Sequence, residues 1–445
     1  MSVLSLPAYV LTLMDRLEAA GFSTYAVGGC VRDMLLGLSP QDYDLCTAAL
    51  PEQTEAVFAD HDLVLAGRKH GTIGVITPEG VVEITTFRTE GGYGDNRHPD
   101  WVRFVPDIRD DLARRDFTVN AMAWSPRRGF ADPFGGQADL REGILRAVGN
   151  PATRFREDSL RILRGVRFAV RYRLQPDDET RRAMEMLSGL MDNLARERIF
   201  EELCKLLPLV CARDLLTFGP ILAAVIPELG PMIGFDQHSP HHAYDLITHT
   251  AYVVENTPPE LPLRWAALLH DTGKVPTFTQ DENGRGHFYG HAGESAAFAE
   301  RILQKLKAPT ALREEAVTLI GLHMTKLEPD KKVLRRWLSR LGRPLLDKLL
   351  QLQKADTVSK GRDVTAELRQ FEMIHSILAE IDAENACLSL KDLAIRGDDL
   401  MALGYTGKAI GTALNRLLDL VLDEQLPNEK EALLHFILQN KESQL

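Results

Sequence analysis

Only five cysteines occur in the 445 residues (Cys30, Cys46, Cys204, Cys211 and Cys387), scattered and without a CxxC pair. That excludes a disulfide framework and a thiolate zinc site, and it fits a reducing cytoplasm. No run approaches the roughly 18 uncharged apolar residues of a membrane span, so none is expected. The fairly apolar stretch from Val3 to Leu13 soon meets Asp15, Arg16 and Glu18, without a basic leader or a small-residue cleavage site, so a secretory signal is not expected either. Low-complexity segments and internal repeats are absent. The chain also lacks a net positive charge: 52 Lys and Arg against 63 Asp and Glu give a formal net charge of −11. A protein that grips phosphates therefore needs local clusters of Lys and Arg. One such band exists: nine arginines (Arg141, Arg146, Arg154, Arg156, Arg161, Arg164, Arg167, Arg171 and Arg173) stand against only Glu142, Glu157 and Asp158.

The length exceeds what one hydrophobic core holds and implies two to four domains. With 44% apolar and 26% charged residues, the composition is that of an ordinary globular chain. Leu11 to Ala20 has helical periodicity, whereas Thr24 to Val27, Val64 to Ala66, Thr72 to Thr77 and Val81 to Phe87 are β-rich, which predicts a small α/β domain over the first 140 or so residues. From about Glu157 the pattern becomes long helical periodicities interrupted near Pro208, Pro227 to Pro231 and Pro258 to Pro262. The stretch Thr89 to Trp101, rich in Gly, Asn and charge, reads as a mobile loop.

Gly28-Gly29 ends a predicted strand, and Cys30-Val31-Arg32-Asp33 opens a helix, a place where backbone N–H groups can receive a triphosphate. Thirteen residues after Gly29 comes Asp42-Tyr43-Asp44-Leu45. On an extended strand, residues i and i+2 face one side, so both carboxylates can serve one cation site, with Glu83 on another strand as a third oxygen donor. Hard Mg²⁺ takes carboxylates plus substrate phosphates, the chemistry of two-metal phosphoryl transfer. An isolated DxD is commonly a solvated turn; its spacing from the glycine pair argues for the metal reading.

The runs GGCVRDMLLGLSPQDYDLCT, VEITTFR, RRDFTVNAMAW, DPFGGQADL, RFREDSLRILRGVRFA and ARERIFEELCKLL together resemble the ordered motifs of the bacterial class II CCA-adding tRNA nucleotidyltransferases, with poly(A) polymerases as close relatives. The resemblance covers roughly residues 28 to 207. It implies an α+β protein: a polymerase-β-like nucleotidyltransferase head over 1–140, a helical neck over 141–235 with the nucleotide-selecting motif, an HD-type helical domain over 236–360 and a helical tail over 361–445. It further implies Mg²⁺ at Asp42, Asp44 and Glu83, and CTP, ATP and the tRNA 3′ end as ligands, with no membrane and no obligate protein partner.

Asp158 and Arg161, three apart on a predicted helix, can form a Watson–Crick-like template. The carboxylate accepts from the exocyclic amine that cytosine and adenine both carry, while guanidinium donates to the ring. Uracil and guanine would set acceptor against acceptor. Glu157, Asp158 and Arg161 match the family's EDxxR motif, to which the resemblance assigns this role. It also assigns nucleotide contacts to Gly28, Gly29, Arg32 and Asp33, to Arg115, Asp116 and Asn120 of the RRDFTxNA motif, and to Arg164 and Arg167. The Asp116 residue can also cap a helix beginning near Phe117. Glu197 to Glu202 is expected to stabilise the neck helices. The long Thr89 to Trp101 loop leaves a switch from C to A addition open.

Further along, His249, His270-Asp271, His291, His323 and Asp356 follow the order H…HD…H…H…D, which resembles the HD phosphohydrolases. Imidazoles and carboxylates there hold one or two transition metals, such as Mn, Ni, Co or Fe, that activate water. His238, His241 and His242 read as a loop. Gly407-Lys408 opens a helix predicted over Thr412 to Leu422 and resembles the family's tail, which implies a grip on the tRNA elbow. An A-adding enzyme, a poly(A) polymerase, a metal phosphohydrolase whose head only binds nucleotide, and a noncatalytic RNA-binding protein are the alternatives. The paired acid clusters argue against the last two.

Overall fold

The computed structural model describes residues 4–92, 101–239 and 243–441. It divides into two compact units, Met1–Val210 with Thr217–Gly230 and Lys305–Lys307, and Cys211–Leu216 with Pro231–Gln304 and Ala308–Leu445.

The first unit begins with α1 (Ala8–Ala19), β1 (Thr24–Val27), α2 (Gly29–Leu35), β2 (Leu45–Thr47), α3 (Pro51–Val57) and β3 (Leu63–Val64). Next come β4 (Thr72–Thr77), β5 (Gly80–Thr86), β6 (Arg88–Gly91), β7 (Trp101–Phe104), α4 (Ile108–Ala113), β8 (Ala123–Ser125), β9 (Gly129–Ala131) and α5 (Gly136–Glu142). Seven strands form one sheet in the order β3-β4-β5-β2-β1-β8-β9. β2 and β5 pair in parallel, and the other neighbours are antiparallel. The β-branched, alternating sequences of β4 and β5 suit a half-buried hairpin. Ile73, Val75, Val82 and Ile84 are buried, and the period of two turns Glu83 to the exposed side.

The ends of the stretch expected to be a mobile loop are strands: β6 and β7 pair antiparallel, with Arg88 opposite Phe104 and Gly91 opposite Trp101. The rest of that stretch, 93–100, lies outside the described residues, as do His241 and His242 of the histidine cluster.

The two-residue ladder β10 (Ile144–Leu145) with β11 (Gln175–Pro176) brackets α6 (Pro151–Glu157) and α7 (Leu160–Tyr172), followed by α8 (Asp178–Leu187), α9 (Arg196–Leu206) and α10 (Ala212–Ala223). Ile162, Leu163, Val166, Ala169 and Val170 bury the apolar stripe of α7, each large side chain contributing about 1.5–3 kcal/mol. The expected continuous helix through Asp158 and Arg161 is not formed. Asp158 is extended (φ −144°, ψ 103°) between α6 and α7. Its Oδ1 accepts from Leu160 N at 3.0 Å, a local side-chain bond that competes with helix continuation.

The second unit comprises α11 (Leu246–Asn256), α12 (Leu261–Leu269), α13 (Lys274–Thr277), a small hairpin of β12 (Thr279–Gln280) and β13 (Gly286–His287), and then α14 (His291–Lys305), α15 (Thr310–Leu322), α16 (Lys331–Leu341), α17 (Arg343–Val358), α18 (Thr365–Ala383), α19 (Gly397–Ala402), α20 (Lys408–Leu422) and α21 (Lys430–Lys441). Helices α11, α12, α15 and α17 pack together around the buried Trp265 and Leu268. Asp245 caps α11 by accepting from Thr248 N at 2.9 Å. A separate apolar cluster, including Leu393, Leu400, Leu417 and Leu433, holds α19 to α21. Among the described residues, no helix is long and apolar enough to cross a membrane.

Candidate active site and second histidine-aspartate centre

The parallel register of β2 and β5 sets Leu45 beside Ile84. Asp44 and Glu83, the residues immediately before each, are therefore neighbours. Asp42 and Asp44 precede β2 rather than lying on it, and Asp44 is anchored through its carbonyl, which accepts from Val27 N at 3.0 Å. Enclosure by the surrounding protein, and then the charges of Glu83 and Asp42, push the Asp44 carboxyl above its ordinary pKa, while Arg115 acts the other way. Crowded carboxylates of this kind are relieved by a divalent cation.

Beside them, Gly28 has φ +76° and caps α2. A Cβ there would lie 2.8 Å from Arg115 Nη1, the movable end of a long side chain, so it is the positive φ that requires glycine, and its lack of a side chain lets this guanidinium approach closely. Arg115 itself is steadied by the fully buried Asp111, which also holds Arg114 at 2.8 Å. Arg32 is buried, bonded to Asp33 at 2.7 Å and Asn120 at 2.5 Å, and stacked on Tyr172 with its guanidinium carbon 4.1 Å from the ring centre.

Asp116 ties the RRDFTxNA run together. Oδ1 accepts from Phe117 N at 2.8 Å and Asn120 Nδ2 at 3.1 Å, and Oδ2 accepts from Arg164 Nε and Nη2 at 2.9 and 2.7 Å. The expected cap is not formed: the helix is a short 3-10 turn, Thr118–Asn120, whose N-cap position is Phe117 with no side-chain cap bond, because the Asp116 carboxylate is taken by Phe117 N, the Asn120 side chain and Arg164. Burial opposes ionisation, but Arg164 outweighs it and lowers the Asp116 carboxyl to about 2.

The side chains of Asp158 and Arg161 do not bond each other; the two residues are joined only through the backbone, Arg161 N donating to the Asp158 carbonyl at 3.0 Å. Asp158 Oδ2 accepts from Arg198 Nη2 at 2.9 Å, whereas Arg161 pairs with Glu157 at 2.8 Å and donates to the Arg114 carbonyl at 3.1 Å. Arg167 meets Glu202 at 2.6 Å, both buried, which ties α7 to α9. Arg198, Tyr172 and Asp111 went unnoticed in the sequence. Arg198 lies within the Glu197 to Glu202 run, whose helical spacing sends Arg198 and Glu202 to one face and so towards α7.

In the second unit, six predicted residues converge. Ligand atoms of His249, His270 and Asp271, and of Asp271, His291 and His323, lie within 4.8 Å of one another in each group. His249 Nε2 is 3.0 Å from Asp356 Oδ1 and 3.5 Å from Asp271 Oδ2. Each imidazole has Nδ1 against a backbone carbonyl: Ser359 for His249, Ala267 for His270, Phe288 for His291 and Ile320 for His323. A neutral ring that donates from Nδ1 presents a lone pair at Nε2, the orientation of a metal ligand. His291 Nε2 and His323 Nε2 are 3.3 Å apart, so two lone pairs oppose each other, an arrangement that a cation between them satisfies. Burial lowers His291 and takes His323 down to about 4, so protons are poor substitutes. Burial opposes charge at Asp271 too, yet His270 and Lys274 hold its carboxyl well below the usual range. The donor set fits a transition metal.

Lys274, 2.8 Å from Asp271, and Lys360, 3.1 Å from Asp356, were missed; HDTGK already placed Lys274 one helical turn from the acid. His238 stands apart, paired with Asp236 at 3.7 Å. Gly407 (φ +56°) caps α20, which starts at the exposed Lys408, four residues before the expected position.

The sheet, the three neighbouring carboxylates and the guanidinium-lined glycine turn define a nucleotidyltransferase head of the polymerase-β kind. Residues 24–146 match the family model "Poly A polymerase head domain", 173–216 match "Probable RNA and SrmB-binding site of polymerase A", and 278–437 match tRNA nucleotidyltransferase domain 2. The CCA-adding enzyme of Bacillus velezensis is 31% identical over 424 residues, 94% of this chain and 95% of that protein. That of Latilactobacillus sakei is 32% identical over 431 residues, 96% of each. The crystal structure of the Bacillus stearothermophilus CCA-adding enzyme in complex with CTP superposes with a TM-score of 0.70 at 25% identity, covering 98% of this chain and 97% of that one. The chain belongs to the family of CCA-adding enzymes.

Proposed function

We propose that this protein adds C, C and A in order to the 3′ end of tRNA from CTP and ATP, without a nucleic-acid template. The carrying observation is the convergence of Asp42, Asp44 and Glu83 beside the Gly28 turn and Arg115. These carboxylates would hold Mg²⁺, which when bound activates the 3′ hydroxyl for attack on the α-phosphate and steadies the departing pyrophosphate. Gly28 N donates to the Met122 carbonyl at 2.9 Å and so fixes the turn, Gly29 opens α2 towards the phosphates, and Arg32 and Arg115 supply positive charge.

Asp158 selects the base. One lone pair on each oxygen is engaged, by Leu160 N and Arg198, and the remaining ones can accept an exocyclic amine. Arg161 supplies the donors for the acceptor edge, so cytosine and adenine satisfy the pair and uracil and guanine do not. Arg198 and Arg164 position this template through Asp158 and Asp116. The head, neck, central body and tail boundaries at 140, 235 and 360 follow from the same reading, with Gly407 and Lys408 on the tRNA elbow. The test is tRNA extension by Asp44→Ala in the full chain: addition is lost in a folded protein, and retained addition would remove the metal assignment.

A second reading concerns the other unit. The opposed His291 and His323 lone pairs support a metal-dependent phosphoesterase of the HD kind, with Asp271 shared between the two ligand groups. The metal would activate water for attack on a phosphoester, and Lys274 and Lys360 would balance the developing negative charge. Hydrolysis of phosphoesters by the Mn²⁺-loaded chain, lost in His270→Ala, tests it.

A further inference from the structure

The cavity above the second centre has a rim that neither metal binding nor the fold requires. Its volume is about 250 Å³, and Asp271, His291, His323 and Asp356 line it together with Lys274, Arg285 and Lys360. Clefts that enclose a drug-sized ligand run from about 300 to 1,000 Å³. A phosphoester group fits inside; the remainder of a larger substrate must rest on the rim.

There the structure presents Tyr289, 78% exposed, in the short segment between β13 and α14. Its ring lies offset on that of His287, with planes 6° apart and centres 5.4 Å apart. His287 is in turn held by Asp281, Nε2 to Oδ2 at 3.0 Å, across the hairpin. The hairpin is pinned from below, because Gly286 N donates to the His238 carbonyl at 2.8 Å and a Cβ at Gly286 would strike the Gln237 carbonyl. A tyrosine this exposed contributes little to a core, yet its ring orientation is braced through two further side chains. His291, two residues on, faces Asp271 and His323 of the histidine-aspartate centre. Met324, 59% exposed and adjacent to His323, adds a second apolar surface to the same rim.

We infer that Tyr289, braced on His287, is the base-stacking platform of this site, so that its substrate is a nucleoside phosphoester whose phosphate enters the cationic cavity and whose base lies flat on the tyrosine. Aromatic stacking accepts any base, while Lys274, Arg285 and Lys360 supply the charge that draws the phosphate inward. The inference rests on reading the centre as a metal-dependent phosphoesterase.

The experiment uses the full chain loaded with Mn²⁺, as wild type, Tyr289→Ala and Tyr289→Trp. Hydrolysis of adenosine 2′-monophosphate and of glycerol 2-phosphate is followed. Equilibrium binding of the nucleotide is measured with CTP saturating the head. Base stacking is worth about 1–3 kcal/mol, so Tyr289→Ala raises KM and Kd for the nucleotide between about 5-fold and 150-fold. Its kcat, its manganese content and its kinetics on glycerol 2-phosphate stay unchanged, and Tyr289→Trp retains wild-type values. A dinucleotide with the same terminal phosphate separates the two sources of such a group: tighter tyrosine-dependent binding points to an RNA end, equal binding to a free nucleotide. Unchanged nucleotide binding in Tyr289→Ala, an equal loss on glycerol 2-phosphate, or no nucleotide binding by wild type overturns the inference. Tyrosine-dependent binding without hydrolysis of either compound upholds the platform and discards the phosphoesterase reading.

Discussion

Replacing Asp116 by Asn keeps its shape and removes its charge, which isolates what the Arg164 pair contributes. In the folded protein the carboxyl titrates at about 2 rather than 3.8 because Arg164 holds it from two nitrogens. At 1.36 kcal/mol per pH unit, this difference corresponds to about 2 kcal/mol of stability. The folded value is depressed, so the contribution is fully present above the unfolded value near 4 and disappears as the pH falls through about 2. Asp116→Asn is therefore expected to lower the stability of the first unit by about 2 kcal/mol at pH 7, with the deficit unchanged down to pH 5 and shrinking below pH 4. Urea denaturation followed by fluorescence, at several pH values and with wild type in parallel, measures it. The lost charge also releases Arg164 and weakens the hold on Asn120, so KM for CTP rises. A deficit below about 0.5 kcal/mol at pH 7, or one that grows on acidification, would refute the argument.

Asp158→Ala should relax discrimination against UTP by at least tenfold in a competition assay, and Arg198→Ala should do so more weakly by freeing the carboxylate; unchanged selectivity in both would count against the protein template. Gly28→Ala forces a side chain onto φ +76° and into Arg115, and is expected to cost about 1–3 kcal/mol in thermal unfolding with a raised KM for nucleotide. A fully active, equally stable variant would show that the positive φ at this turn does not require glycine. His270→Ala should abolish metal-dependent phosphoester hydrolysis while tRNA extension continues; simultaneous loss of both would point to unfolding instead.

Where sequence alone sufficed, one local rule decided. The strand Thr24–Val27 and the strand Thr72–Thr77 have the predicted bounds, since β-branched alternation between turn residues leaves little choice. The six histidines and aspartates of the second centre converge as their order implied. What stayed hidden depended on partners far away in the chain. Asp158 looked helical because Arg156 to Arg161 has good helix formers; its own side chain breaks the helix by bonding Leu160 N, and Arg198, forty residues on, then takes its other oxygen. Arg167 read as a nucleotide ligand from the resemblance, and no periodicity announces that Glu202 meets it inside the neck. Asp42 and Asp44 were expected on a strand; the chain enters β2 only at Leu45, and the register with β5 rather than strand alternation brings Asp44 to Glu83. The short strands β8 and β9 gave no signal, being three residues each and set by pairing, β8 with β1 and β9 with β8.

The central claim is ordered C, C and A addition. Purified protein with Mg²⁺ would be given tRNA ending at its discriminator base or at CC, with each of the four nucleoside triphosphates alone and with CTP and ATP together, and the products sequenced. The expected result is two C residues from CTP, one A on the CC substrate from ATP, CCA from the mixture and then arrest, with no incorporation from UTP or GTP. Addition of A alone, or of a long A tail, would contradict it and move the protein to the A-adding or polyadenylating branch of the same chemistry.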